Sequence, residues 1–162
     1  MLTITSNTTR LKAWISPYAA LAPICIGVFV AADDQTVIVT VLPQIIVDMG
    51  ILPTELNKAS WTVTGYMLGY VAIMPLMGKL GDVWGHRRLY IVSISVFMLG
   101  SVAVALAPSL AWLVAARILQ AVGAGALVPI AIAIARDLFP GSRSGLALGF
   151  IGASAEAGGV IG

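Results

Sequence analysis

Asp33, Asp34, Arg117 and Glu156 stand inside runs of apolar residues long enough to cross a bilayer. An ionisable group at mid-bilayer costs about 2.5–3.5 kcal/mol even on the lenient insertion scale, so such residues mark ion or substrate paths by default. A carboxylate facing a cation in that medium can load and release a proton, because burial disfavours its charged form and the cation favours it. Counted from the outer ends of their runs, Asp34 lies about eleven residues deep and Arg117 about seven, roughly 6 Å apart in depth at about 1.5 Å per residue. The two can therefore pair, as a proton-coupling site or as a structural ion pair that locks two helices. Arg117 and Gln120 share a helix face, and Ala121, Ala124 and Gly125 keep the surface beside it small enough for close approach.

Two further segments carry residues that could do chemistry. Gly145, Gly149, Gly152, Glu156 and Gly159 fall within about 80° of one another on a helix, which predicts that Glu156 lies in a glycine groove and not against lipid. Gly158 and Gly162 mark another flank of that helix. GxxxG spacings recur at Gly65/Gly69, Gly145/Gly149 and Gly158/Gly162, a signal that any helical bundle can produce. The segment GKLGDVWGHRR over 78–88 is more specific. Its glycines permit a tight turn between antiparallel spans, Asp82 can face a helix N-terminus, and Arg87 and Arg88 hold the turn on the cytoplasmic side. His86, the single histidine, reads as a solvated residue or as a pH sensor.

The elements that must position these groups are membrane spans. Of the 162 residues 59% are hydrophobic and only 10% charged, against roughly a quarter charged in soluble domains. A soluble globular protein is thereby excluded, and at about 20 residues per span plus connections the length holds roughly five spans. The spans are expected over 18–47, 59–78, 89–107, 110–135 and 144–162, after a polar tail over 1–17. Arg10, Lys12, Lys79, Arg87, Arg88, Arg136 and Arg143 fall in the tail and the second and fourth connections, whereas the first and third offer only Lys58. This asymmetry predicts a multi-pass protein of the cell (inner) membrane with its N-terminus in the cytoplasm. The last span stops just as it would emerge, which predicts a truncated chain. A net charge of +2 gives no reason to expect nucleic acid as a partner, and Cys25, the single cysteine, excludes an intrachain disulfide and a multi-cysteine metal site.

Four segments together resemble the major facilitator superfamily. Gly78, Leu80, Asp82, Gly85, Arg87 and Arg88 match its signature GxLaDrxGrkr between spans 2 and 3, with Val83 and His86 where the family usually carries a base. Arg117, Gln120, Gly123 and Ala124 resemble its fourth-span motif RxxQGxGxA, with Ala121 for the usual glycine. Asp34, Gln35, Thr36, Leu42, Pro43 and Ile45 resemble LDxTIVNVALPxI of the fourteen-span drug:proton antiporters, with Asp33 and Val39 as departures. Gly149, Gly158 and Gly162 have the spacing of the antiporter motif in span 5.

The resemblance implies an all-α membrane fold, a polytopic helical bundle made of five spans of a major-facilitator N-terminal half, within twelve or fourteen spans that rock between two open states. It implies proton-coupled efflux of lipophilic or cationic drugs, with protons, a small-molecule substrate, the lipid bilayer and the remaining spans as partners. Nutrient or metabolite symport, or a non-transporting membrane fragment, are the alternatives. Asp34 is selected over Asp33 as the proton site, with Arg117 tuning it and Gln120 and Glu156 accompanying it. Gly78, Asp82, Gly85, Arg87 and Arg88 form the gating loop. No cofactor or metal is implied, and neither a phosphate loop nor a nucleophile with a base points to an enzyme.

Overall fold

The computed structural model describes residues 17–141 and 144–162, all of whose regular structure is helical. The helices are α1 (Pro17–Asp48), α2 (Leu56–Trp84), α3 (His86–Ala105), α4 (Leu110–Leu138) and α5 (Ser144–Ile161), with a short 3-10 turn at Pro53–Glu55. All five are long and apolar enough to cross a membrane. Large apolar side chains along them, among them Val30, Leu68, Val71, Leu99 and Phe150, are exposed. Exposed apolar surface on that scale needs lipid as its solvent, so the chain is a multi-pass membrane protein. The tail residues Arg10 and Lys12, and Arg143, lie outside the described residues.

Span boundaries shift where charge and helix formation disagree. The segment 78–88 is not a loop. α2 continues through Lys79 and Asp82 to Trp84, α3 starts at His86, and Gly85 alone breaks the helix, at φ 86°. Charged residues do not themselves end a helix, since Lys, Arg and Glu are good helix formers; α2 ends where Gly85 adopts a left-handed φ. For the same reason α4 runs past Ala135 and carries Arg136 and Asp137, both expected in a loop. α3 stops at Ala105, and Ser109 caps α4 by accepting a hydrogen bond from Trp112 N at 3.4 Å. The Trp112 indole donates to Ala103 O at 3.1 Å and pins the turn from the other side.

α4 is the hub. Its buried residues run from Leu113 to Ala135 and occupy every side of the helix, with α2 and α3 packed along its length. Small residues make this possible. A side chain at Gly123 would strike the α3 backbone at Phe97, and one at Gly125 would strike Tyr70 O of α2. Backbones at this separation gain dispersion contacts that larger residues would forbid, which is how helices associate in a medium with no hydrophobic drive between them. α1 packs chiefly on α5 and meets α4 over a narrower contact. That contact contains the charged residues.

Candidate functional site

Arg117 lies within α4, and its side chain is 1% exposed. Its Nη1 donates to Asp34 Oδ2 of α1 at 2.6 Å and to Gln120 Oε1 at 2.6 Å. Gln120 Nε2 donates to Asp34 Oδ1 at 2.8 Å and to Ser101 Oγ of α3 at 2.8 Å. Both oxygens of Asp34 are thus held by α4, one by a charge and one by an amide. The guanidinium carbon stands 4.1 Å from the centroid of the Tyr66 ring of α2, a cation–π contact that is stronger when desolvated. Arg117 thus joins α4 to α1 and α2, and Gln120 extends the network to α3. Burying that charge is tolerable because it has a carboxylate, an amide and an aromatic face, although its Nε and Nη2 hydrogens have no partner among the described residues.

The Asp34 side chain keeps 23% of its surface exposed. It borders a crevice of about 360 Å³ between α1, the C-terminal end of α3 and the N-terminal end of α4, whose other walls include Val37, Ile38, Val104 and Leu113. The carboxylate is thus held by α4 on one side and open to the crevice on the other. The i, i+3 spacing that puts Arg117 and Gln120 on one face also lets the pair grip a single carboxylate from two sides.

Sequence spacing brings Asp34, Arg117 and Gln120 together, and the structure joins the three. Tyr66 and Ser101 were not anticipated. Each is a polar group in an apolar span, the only signal that could have found them. Asp33 turns the other way, toward α5: its carbonyl accepts from Thr36 Oγ1 at 2.9 Å, and Gly158 and Gly162 press on its backbone. A side chain at Gly162 would come within 3.0 Å of Asp33 Oδ1.

Glu156 does not lie in a packed groove. It is exposed, and Gly145, Gly149, Gly152 and Gly159 have open space where a side chain would extend. α5 approaches α1 through its other flank, Gly158 and Gly162, because only those glycines align with the α1 backbone at Phe29 and Asp33. Of the span-5 motif, Gly158 and Gly162 make the helix crossing and Gly149 faces outward.

The residues expected to form a gating loop gather at the other end of α4. Gly78 is an exposed helical residue, and Arg87 and Arg88 are exposed in the first turn of α3. His86 bridges two carboxylates, with Nδ1 at 2.8 Å from Asp137 Oδ2 and Nε2 at 3.7 Å from Asp82 Oδ1. The α2–α3 junction is thus tied to α4 through Asp137, a residue that the loop motif alone does not disclose. Cys25 is a free, half-buried residue packed against the core.

The model of the Major Facilitator Superfamily matches residues 24–162. A triacylglyceride transporter of Mycolicibacterium hassiacum is 39% identical over 137 residues, which cover 85% of this chain and 26% of the relative. One of Mycolicibacterium smegmatis is 38% identical over 137 residues, 85% of this chain and 24% of the relative. One of Mycobacterium tuberculosis is 39% identical over 140 residues, 85% of this chain and 27% of the relative. The chain spans about a quarter of the length of these curated relatives, and all three are named for triacylglyceride transport, not for drug efflux.

Proposed function

The chain belongs to the Major Facilitator Superfamily, and from that premise we propose that its five spans form part of a secondary transporter that moves lipophilic molecules out of the cell in exchange for protons, by alternating access. Asp34 is the proton site in this reading, and Arg117 tunes it. The observation that carries it is the seat of Arg117: a fully buried guanidinium whose one carboxylate partner, Asp34, remains open to a crevice.

The geometry suggests how charge couples to movement. When Asp34 is ionised, α1 is held to α4 by an ion pair in a medium of low dielectric. When it takes a proton, the attraction falls to that of a neutral hydrogen bond, while Arg117 keeps Gln120 and the Tyr66 ring. α4 then remains in place and α1 is freed to shift. Asp33 and Glu156, which do not touch Arg117, provide negative charge elsewhere along the substrate path. Lys79, Arg87, Arg88 and Arg136 at one end, against Lys58 at the other, support an N-terminus in the cytoplasm of the cell (inner) membrane. Gly78, Asp82, Gly85, Arg87 and Arg88 serve switching between states more than substrate affinity.

The names of the relatives favour a neutral acylglycerol as cargo. A lipophilic cation is the second reading, favoured by the exposed fraction of Asp34, where a cation and a proton compete for one charge. Proteoliposomes of the full-length transporter decide between them. With an imposed pH gradient, the first reading predicts gradient-dependent movement of fluorescent acylglycerol, the second that of tetraphenylphosphonium. Movement of neither, in correctly oriented protein, contradicts the proposal.

A further inference from the structure

At the end of the bundle that carries Arg87 and Arg88, a groove of about 1060 Å³ opens between α1, α3 and α4. Its floor is apolar: Ala20, Pro23 and Ile24 of α1, Ile91 of α3, and Ile134 and Leu138 of α4. Its mouth carries Arg87 and Arg88, both exposed and, among the described residues, without an ion-pair partner. The acidic residue on the same rim, Asp137, is hydrogen-bonded to His86 at 2.8 Å, which turns its carboxylate toward the imidazole. Trp84, 59% exposed, stands beside the arginines, as tryptophans do at the headgroup level of a bilayer.

We infer that this groove binds an anionic glycerophospholipid, its phosphate held by Arg87 and Arg88 and the first part of an acyl chain lying along the α1–α3–α4 floor. Three observations favour that occupant. The charge is confined to one end and the rest is hydrocarbon, the polarity of an amphiphile entering from the headgroup layer. The volume lies at the upper edge of the roughly 300–1,000 Å³ typical of sites for drug-sized molecules, so a small anion would leave most of it unfilled. The floor descends from Ala19 to Ile24, about 7 Å along the helix, which matches a glycerol backbone and the first methylenes below it. Basic pockets between spans are the structures that hold anionic headgroups elsewhere. The inference concerns a site apart from Asp34 and does not depend on transport.

Fluorescence of the full-length transporter in phosphatidylcholine vesicles tests it, with brominated phosphatidylglycerol or brominated phosphatidylcholine as quencher and Trp84→Phe to isolate the Trp84 signal. Brominated phosphatidylglycerol should associate near Trp84 in preference to brominated phosphatidylcholine. Each arginine contributes about fivefold, so Arg87→Gln with Arg88→Gln should lower the preference roughly thirtyfold, and the double lysine variant should keep most of it. Ala20→Phe, which fills the floor and leaves both arginines, should abolish quenching as well. Circular dichroism confirms that each variant is helical. Equal association of the two lipids, or a preference that survives the double glutamine variant, overturns the inference. Persistence in Ala20→Phe overturns the groove, and displacement by millimolar glycerol phosphate assigns the site to a soluble anion instead.

Discussion

The bond from Arg117 to Asp34 and the bond from His86 to Asp137 have nearly the same length, 2.6 and 2.8 Å, and each joins a basic side chain to a carboxylate on another helix. Their surroundings differ. Arg117 and Asp34 are 1% and 23% exposed within the helix bundle, whereas His86 and Asp137 are 23% and 64% exposed at its end. An exposed pair has water to replace either partner, and double-mutant measurements put such pairs at about 0.2–1 kcal/mol. A buried charge has no such substitute, and removing its partner typically costs about 3–5 kcal/mol. Distance alone therefore says little about what an ion pair does. Burial decides which pair is costly to break and which is not.

The largest effect should follow removal of the Asp34 carboxylate. Asp34→Ala leaves Arg117 buried and uncompensated, with an expected loss of about 3–5 kcal/mol in reversible unfolding. The reverse truncation, Arg117→Leu, leaves a carboxyl that can take a proton and keeps its exposed side, so its loss should be about 1–3 kcal/mol. Equal losses would remove the asymmetry on which the proposed proton site depends.

Next in size is a test of packing around the same site. A side chain at Gly100 would lie 2.6 Å from Gln120 Cα and 2.7 Å from its Cβ, so Gly100→Val must push α3 off α4 and misplace the amide that holds Asp34. We expect a loss of about 1–3 kcal/mol. Gly149 has nothing within 4 Å, and Gly149→Ala should stay within about 0.5 kcal/mol of the parent chain. Thermal unfolding of both variants in one lipid mixture compares them directly.

The smallest effect belongs to the exposed pair. His86→Gln should cost less than about 1 kcal/mol, and raising salt from about 0.1 M to 1 M, where the screening length falls from about 10 to 3 Å, should shrink it further. A larger loss that is insensitive to salt would mean that the His86–Asp137 contact is shielded from water.

Much of this arrangement is legible in the sequence because the bilayer constrains it. Five apolar runs give five helices, and depth counting alone places Asp34 level enough with Arg117 to pair. What remained hidden depends on rotation about the helix axis. Tyr66 reaches the arginine and Ser101 reaches Gln120 because α2 and α3 present those faces to α4, and the glycine contacts that set those rotations are long-range. The same limit applies to α5: a glycine stripe says that a face permits close packing but not which stripe packs, and α5 meets α1 through Gly158 and Gly162 while the face of Glu156 stays open. Charge misled at 78–88 and 136–138, where polar residues mark the membrane edge but the helices continue past it.

The central claim is that the carboxylate facing Arg117, and not its neighbour, carries the proton. Substrate-induced proton release from the detergent-purified full-length transporter tests it most directly, read with a pH-sensitive dye for Asp34→Asn and Asp33→Asn beside the parent. Release should vanish in Asp34→Asn and persist in Asp33→Asn, whose side chain lies toward α5. Release that survives in Asp34→Asn but disappears in Asp33→Asn would contradict the account.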